Sequence, residues 1–477
     1  MCKPFYHLLQ SPWGHYFYDV NRNEIVSTTP EIFELLETLL TCKDKESAEI
    51  MNSSSIGHLR DAGYLSDKRP NIIQHPSTNV VENFLDGNME KLTLQLTQNC
   101  NFKCSYCAYA NPAIGQQRTH SSQNMSVEIA KKAVNFLFAH SMNICSPNIG
   151  FYGGEPLLNF SLLKEVVEYA DELFQGRTLS YSMTTNGSLF TDEVIEFCLA
   201  HNIIVLVSLD GPKEIQDQNR KLAATGGGTF DIVMKNLSRV QRDYPDFFEK
   251  LSFNMVVDPQ NGFDCYNKVY LDSEAILHDA IRVSFVDTAL TSFTSEFNHA
   301  FTELQQYEIF LAYMSIFNRV SRSRVSPIAL NTVDNIVNID RGIVSGSLQT
   351  SMAPSGPCLP GVQRAMCDIS GNLFPCERCS ETANVMKIGH IDSGFDVEHV
   401  KKLLNIGALT ADKCKNCWAI LFCTICASHI ADGDNLSVER KHSVCGLTQN
   451  GVHENFLNVL ALREFKMMLG GGDNVGK

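Results

Sequence analysis

The chain has 477 residues, with 39 basic against 53 acidic side chains, a net charge of −14 and 17 cysteines. This length implies two to four domains, the acidic balance argues against nucleic acid as the main partner, and no apolar run reaches bilayer-spanning length, so no membrane partner is expected. So many cysteines, grouped at metal-binding spacing in a long chain that opens Met-Cys-Lys-Pro without a signal peptide, predict iron thiolates in a cytoplasmic protein rather than disulfides.

Residues 1–88 have their own character. Tyr16 to Val26 reads as a β-hairpin with a polar turn. Thr29 then caps a helix that has Pro30 in its first turn and Ile32, Phe33, Leu35, Leu36, Leu39 and Leu40 as its buried stripe. A further helix through Leu59 leads into a wing-like run from Asp61 to Leu65. With 7 basic and 12 acidic residues, this segment is poorly suited to bind phosphate. Pro70 to Asn79 reads as a linker.

Leu92, Leu94 and Leu96 alternate with Thr93, Gln95 and Thr97, predicting a half-buried strand. It feeds Cys100-x3-Cys104-x2-Cys107. Four-iron clusters are usually held by four thiolates, so a three-cysteine loop leaves one iron open to another ligand. After a helix around Val127 to Phe138, a strand from Ile149 ends in Gly153-Gly154-Glu155-Pro156, where glycines permit close backbone approach and Glu155 can accept from an ammonium. Further strands lead into Thr185-Asn186-Gly187 and into Ser208-Leu209-Asp210-Gly211, and another covers Leu251 to Val257. Such repeated βα units predict an α/β fold, a parallel sheet or partial barrel with its chemistry at the strand C-termini. Gly226 to Gly228 form a loop, either at a substrate entrance or idle on the surface. A helical bridge from Asn298 to Val325, with core aromatic residues, leads to a second group of cysteines: Cys358, Cys376, Cys414, Cys417, Cys423, Cys426 and Cys445, with Cys367 and Cys379 as extras. Cys2, Cys42, Cys145, Cys198 and Cys265 lie outside these groups and read as small buried or incidental residues.

The cysteine loop, with Tyr106 just before its third thiol, resembles that of the radical S-adenosylmethionine (SAM) enzymes. The later cysteines, with Gly371 between Cys358 and Cys376, resemble the SPASM domain of peptide-modifying members of that family. The resemblance implies a (β/α)6 partial barrel at 89–297, a helical bridge at 298–345 and a SPASM domain at 346–477. It implies a winged-helix-like recognition element for ribosomally made peptides at 1–88, whose hairpin edge takes a leader peptide as an added strand.

Its cofactors would be SAM, a SAM-binding [4Fe–4S] cluster on Cys100, Cys104 and Cys107, and two auxiliary [4Fe–4S] clusters. Tyr106, Gly153, Gly154, Glu155, Pro156, Thr185, Asn186, Ser208 and Asp210 would contact SAM. Cys414, Cys417, Cys423 and Cys445 would hold a distal cluster, and Cys358, Cys376 and Cys426 a proximal one. Cys423 and Cys426 are separated by two residues where three are typical, which leaves the fourth proximal ligand open: Cys379, the better candidate, Cys367, or a substrate thiolate.

The branch in closest view is the thioether-forming maturases of the sactipeptide and ranthipeptide type. The implied reaction removes hydrogen from a peptide carbon through a 5′-deoxyadenosyl radical and bonds a cysteine sulfur to that carbon. A flavodoxin or ferredoxin would donate the electron, and no catalytic residue outside the clusters is named. The rival readings are carbon–carbon cross-linking, formylglycine formation of the sulfatase-maturing type and, from another class, an iron–sulfur electron-transfer or scaffold protein.

Overall fold

The computed structural model describes residues 3–263, 266, 281–296, 298–354, 356 and 358–469. Cys2, Cys265 and the glycines at 470–472 lie outside them.

The N-terminal hairpin is the second half of a three-stranded antiparallel sheet, Tyr6–Gln10, His15–Asp19 and Glu24–Thr28, in sequential order. The first strand carries no clean alternation because both its faces are covered: Tyr6 packs with the adjacent helices and Leu9 with the C-terminal half of the chain. Helix Pro30–Thr41 is capped by Thr29, whose hydroxyl accepts from Ile32 N, and it buries Leu36 and Leu39. Helices Asp44–Met51 and Ser54–Asp61 follow. Residues 61–65 form a tight turn rather than a wing. Gly63 and Leu65 adopt positive φ, and Leu65 N donates to the buried Asp19 carboxylate at 2.7 Å, a bond that pulls the chain back onto the sheet.

The expected linker is anchored instead of free. Ile72–Ile73 pairs in parallel with Ser351–Met352, and Pro76–Asn79 makes one 3-10 turn. Ile73 is buried in this arrangement, so apolar burial holds a stretch whose Pro, Ser and Asn content suggests a loop.

Six parallel strands form the centre in chain order: Lys91–Thr97, Asn148–Gly153, Ser180–Thr185, Ile204–Ser208, Ser252–Val257 and Ile281–Phe285. Helices Val127–His140, Phe160–Leu173, Asp192–Ala200 and Phe230–Asp243 connect the first five. The first strand is buried on both faces, not on one, because the C-terminal region covers its polar side: Gln95 Nε2 donates to Glu381 at 2.6 Å. Beyond this strand, Ala365–Cys367 pairs in parallel with it and continues the sheet through Asn372–Phe374, Gly389–His390 and Gly394–Phe395. The cysteine loop and the first of the later cysteines, Cys367 and Cys376, therefore hang from one sheet.

The bridge is helix His299–Ile316, capped by Asn298, followed by Pro327–Gly342. Phe301 and Tyr313 are core, as the pattern predicts, but Leu304, Tyr307 and Phe310 are exposed. The 31-residue helix Val438–Met468 packs on Pro327–Gly342 and on the first N-terminal strand. Gly226–Gly228 closes a short turn against Lys221 and Leu222. Among the described residues, no helix is long and apolar enough to cross a membrane.

Candidate active site

The three-cysteine loop leaves the first central strand and packs against the end of the second. Gly154 N donates to Thr97 O and Glu155 N to Asn99 O, both at 2.9 Å. The two glycines are required by this backbone crossing: a Cβ on Gly153, which has φ +144°, would meet Thr97 O at 2.2 Å, and one on Gly154 would meet Asn99 O at 2.0 Å. Their sequence signal was close approach to a ligand; the structure adds the cysteine loop itself as the neighbour.

Cys100, Cys104 and Cys107 open onto a cavity of about 390 Å³ at the C-terminal ends of the strands. Tyr106, Gly153, Gly154, Glu155, Thr185, Asn186 and Ser208 line it as well. Glu155 is fully buried, which pushes its carboxyl up to about 7, against the pull of donors from Asn186 N, Thr185 Oγ1 and Leu157 N. Pro156 does not line the cavity; it opens the 3-10 turn Pro156–Asn159.

Asp210 also faces away from the cavity lining, because its carboxylate is taken by other donors. Arg220 Nε and Nη2 donate to it at 2.9 and 3.1 Å, Val256 N at 3.1 Å, and Tyr106 Oη makes a short hydrogen bond to it. Arg220 lies over the Tyr106 ring and 3.9 Å from Cys104 Sγ, so the pair locks both the aromatic and the second thiol of the loop. Asp210→Asn is therefore expected to cost about 3–5 kcal/mol, the penalty for leaving a buried guanidinium without its charge partner. Urea unfolding checks this; a loss under about 1 kcal/mol would show that Arg220 does not depend on Asp210.

Several further residues line the cavity; Thr184 and the Glu377-Arg378 pair fall inside sequence motifs, whereas Asn254, Ser284 and His120 carry none. Asn254 and Ser284 come from the last two strands, Thr184 from the third, and Glu377 and Arg378 from the C-terminal region. His120 places Nε2 3.9 Å from Cys107 Sγ and Nδ1 3.1 Å from Gln98 O. The only available signal was a polar residue interrupting an apolar strand, as with Asn254 in Ser252–Val257. Arg220 is invisible without the pairing of Arg220–Leu222 with Phe102–Cys104.

The later cysteines separate into two groups. Cys414, Cys417, Cys423 and Cys445 ring one small cavity, with Lys441 and Gln449 in its wall. Burial raises the thiols of Cys417 and Cys423, the latter to about 11, and the neighbouring thiols of the ring add to that rise. In the other group, Cys376 and Cys379 Sγ are 3.8 Å apart. Cys358 is exposed as a residue, but its thiol is partly enclosed and burial pushes it up to about 11, with Cys426 and Cys376 adding to the rise; the Cys379 thiol is raised first by its hydrogen bond with Cys376 and also by Cys426. Cys367 is fully buried in the sheet, paired with Leu94. Cys198 is buried, Cys42 half-buried and Cys145 exposed. Among the described residues, no three His, Cys, Asp or Glu side chains close on a single metal ion; the thiols ring a space instead.

The two cysteine regions are bonded together. Gln117 Nε2 donates to Cys379 O at 3.3 Å, Ser380 Oγ to Gln116 O at 2.5 Å, and Arg118 forms a 2.6 Å ion pair with the buried Glu381. The donor sets fit thiolate-ligated clusters: three thiols facing a roomy cavity of mixed polar and apolar lining, a ring of four thiols, and the Cys376–Cys379 pair electrostatically coupled to Cys358 and Cys426.

Residues 94–266 match the family model described as the Radical SAM superfamily. The serine-type anaerobic sulfatase-maturating enzyme of Bacteroides thetaiotaomicron is 32% identical over 144 residues, 30% of this chain and 34% of that protein. The radical SAM cyclopropyl synthase TigE of Paramaledivibacter caminithermalis is 27% identical over 196 residues, 39% of this chain and 38% of that protein. The chain thus spans little more than a third of either relative. In fold it is similar to the solved structure described as native anSMEcpe with bound AdoMet, with a TM-score of 0.55 at 19% identity, covering 76% of this chain and 99% of that one. Residues 94–266 thus match the Radical SAM model within a mixed α/β fold, and the chain's cysteine groups are compatible with a [4Fe–4S] cluster and auxiliary clusters.

Proposed function

We propose that this protein is a radical SAM peptide maturase that forms intramolecular thioether cross-links, Cys sulfur to a peptide carbon, in a ribosomally made precursor peptide. The observation that carries this reading is that one cavity is bordered by the three-cysteine loop on one side and by Glu377 and Arg378, next to the Cys376 group, on the other. A substrate in that cavity has a radical source and an electron acceptor within one bonded framework.

Cys100, Cys104 and Cys107 would hold the SAM-binding cluster, with the polar strand ends from Gly153 to Ser208 around SAM. Cys358, Cys376, Cys379 and Cys426 would hold the proximal auxiliary cluster, and Cys414, Cys417, Cys423 and Cys445 the distal one. Bound there, SAM and its cluster supply a carbon radical able to take hydrogen from an unactivated C–H bond. The chain's own residues orient and shield. Asp210 and Arg220 hold Tyr106 and Cys104 in place, Glu155 fixes the third strand end through Thr185 and Asn186, and the Arg118–Glu381 pair keeps the two cysteine regions in register. No side chain is needed as a general acid for hydrogen abstraction. Each cross-link removes two hydrogens and consumes one thiol, and an external donor such as a flavodoxin or ferredoxin supplies the reducing electron.

The recognition step would use the N-terminal sheet. Among the described residues, no strand pairs with the outer edge of Glu24–Thr28, so an extended leader can add there. Of the adjacent positions Ile25 and Val26, one directs its N–H outward and the other into the ladder. Proline at the outward position is expected to weaken leader binding about tenfold with melting unchanged, whereas proline at the inward one destabilises the sheet. Fluorescence titration with a labelled leader and thermal melting of both variants check this.

The deciding experiment is the mass of a cysteine-rich precursor after anaerobic incubation with reconstituted enzyme, SAM and reductant, followed by thiol alkylation. Loss of two hydrogens with one alkylatable thiol per event supports thioether synthesis. The same mass loss with every thiol free overturns it in favour of carbon–carbon coupling. Formylglycine formation is the second reading, favoured by the fold likeness that covers nearly all of the anSMEcpe chain. About a quarter of this chain falls outside that likeness, which leaves room for a recognition unit.

A further inference from the structure

Lys441 is 1% exposed, yet among the described residues no carboxylate pairs with it. Its Nζ donates to Ile406 O at 2.6 Å and lies 3.7 Å from Cys414 Sγ. The residue sits in the first turns of helix Val438–Met468, four positions before Cys445, and the same helical face carries Thr448 and Gln449 into the ring of four thiols. Gln449 Nε2 donates to Cys417 Sγ at 3.2 Å, and Thr410 Oγ1 is 3.5 Å from Cys414 Sγ, but both are neutral. Lys441 is the buried cation of this cage. Arg220 makes the contrast: it too lies beside a cysteine, but a buried carboxylate neutralises it.

An ammonium removed from water costs several kcal/mol unless a negative charge compensates it. One carbonyl oxygen does not provide that charge, whereas an anionic occupant of the cage would; Lys413, which also lines the cavity, is exposed to water and needs no such partner. We propose that Lys441 is the counter-charge of the distal thiolate cage and raises the reduction potential of the cluster held there. The inference rests on the assignment of Cys414, Cys417, Cys423 and Cys445 as ligands of that cluster. Lys441 is a positioning residue: it acts on the cluster, not on the substrate. Adding an electron makes the cage more negative, so a fixed positive charge beside it favours the reduced form.

The test is an anaerobic potentiometric titration followed by electron paramagnetic resonance on the full-length holoprotein, with the distal signal identified by its loss in Cys445→Ala. Lys441→Gln keeps a hydrogen-bond donor and removes the charge; Lys441→Arg keeps the charge. The expected result for Lys441→Gln is at least a tenfold fall in the reduction equilibrium constant of the distal cluster, ~59 mV for one electron, with the SAM-binding cluster unmoved and Lys441→Arg close to the parent. A distal potential unchanged in Lys441→Gln overturns the proposal. Iron lost from Lys441→Gln but kept in Lys441→Arg supports it, since charge rather than shape then holds the cage; iron lost from both overturns it in favour of a packing role. An unsubstituted protein whose iron content and signals do not change on Cys445→Ala would instead refute the cluster assignment, and the inference with it.

Discussion

Cys104→Ala is expected to abolish reductive cleavage of SAM while leaving the auxiliary cages loaded. Its thiol is one of only three in the loop, so the proposed SAM-binding cluster would lose a third of its protein ligands, and about four iron atoms per chain should disappear. The fold should survive, because the neighbouring Arg220 keeps both of its bonds to Asp210 and the strand pair Arg220–Leu222 with Phe102–Cys104 is made by the backbone. Deoxyadenosine release, iron per chain and thermal melting of the variant are the three readouts. Cleavage retained at the parent rate would remove this loop from the chemistry, and loss of all iron would mean that the cages are not independent.

Gly154→Ala is expected to be nearly as damaging, for a reason that lies in the backbone. The added methyl carbon would sit 2.0 Å from Asn99 O and 3.0 Å from Cys100 Cβ, so the strand end and the cysteine loop must part. That costs the Gly154–Thr97 and Glu155–Asn99 hydrogen bonds together with overpacking strain, about 3 kcal/mol or more. Denaturant unfolding should report the loss, and iron incorporation at Cys100 should fall with it. Gly57→Ala is the matched control: it lies within helix Ser54–Asp61 with nothing within 4 Å of an added Cβ, and up to about 1 kcal/mol of stabilisation is expected there. Equal effects at the two sites would refute the steric account.

Covalent spacing and local periodicity made much of this protein legible. Three thiols within eight residues make a loop a candidate cluster site wherever the loop lies, since chain connectivity alone keeps them together. Apolar alternation marked the strand at Leu92 to Leu96, and the Thr29-Pro30 signal marked the first helix to the residue. What local pattern does not show lies where a distant segment changes an element's surroundings. Tyr6–Gln10 lost its alternation because both faces are covered, Ile72–Ile73 became a strand only through Ser351–Met352, and Asp210 turned from the cavity to Arg220.

The sequence by itself determined the cysteine loop, the βα rhythm and the presence of a second cysteine-rich region, because each is a short-range pattern of residue types. The tertiary structure alone brought Cys379 Sγ to 3.8 Å from Cys376 Sγ and put Cys367 in the sheet, which is why Cys379 is proposed for the fourth proximal place. It alone placed Arg220 beside Cys104 and Lys441 beside Cys414. The physical reason is that a buried charge is defined by what surrounds it, and those surroundings come from strands and helices far apart in the chain.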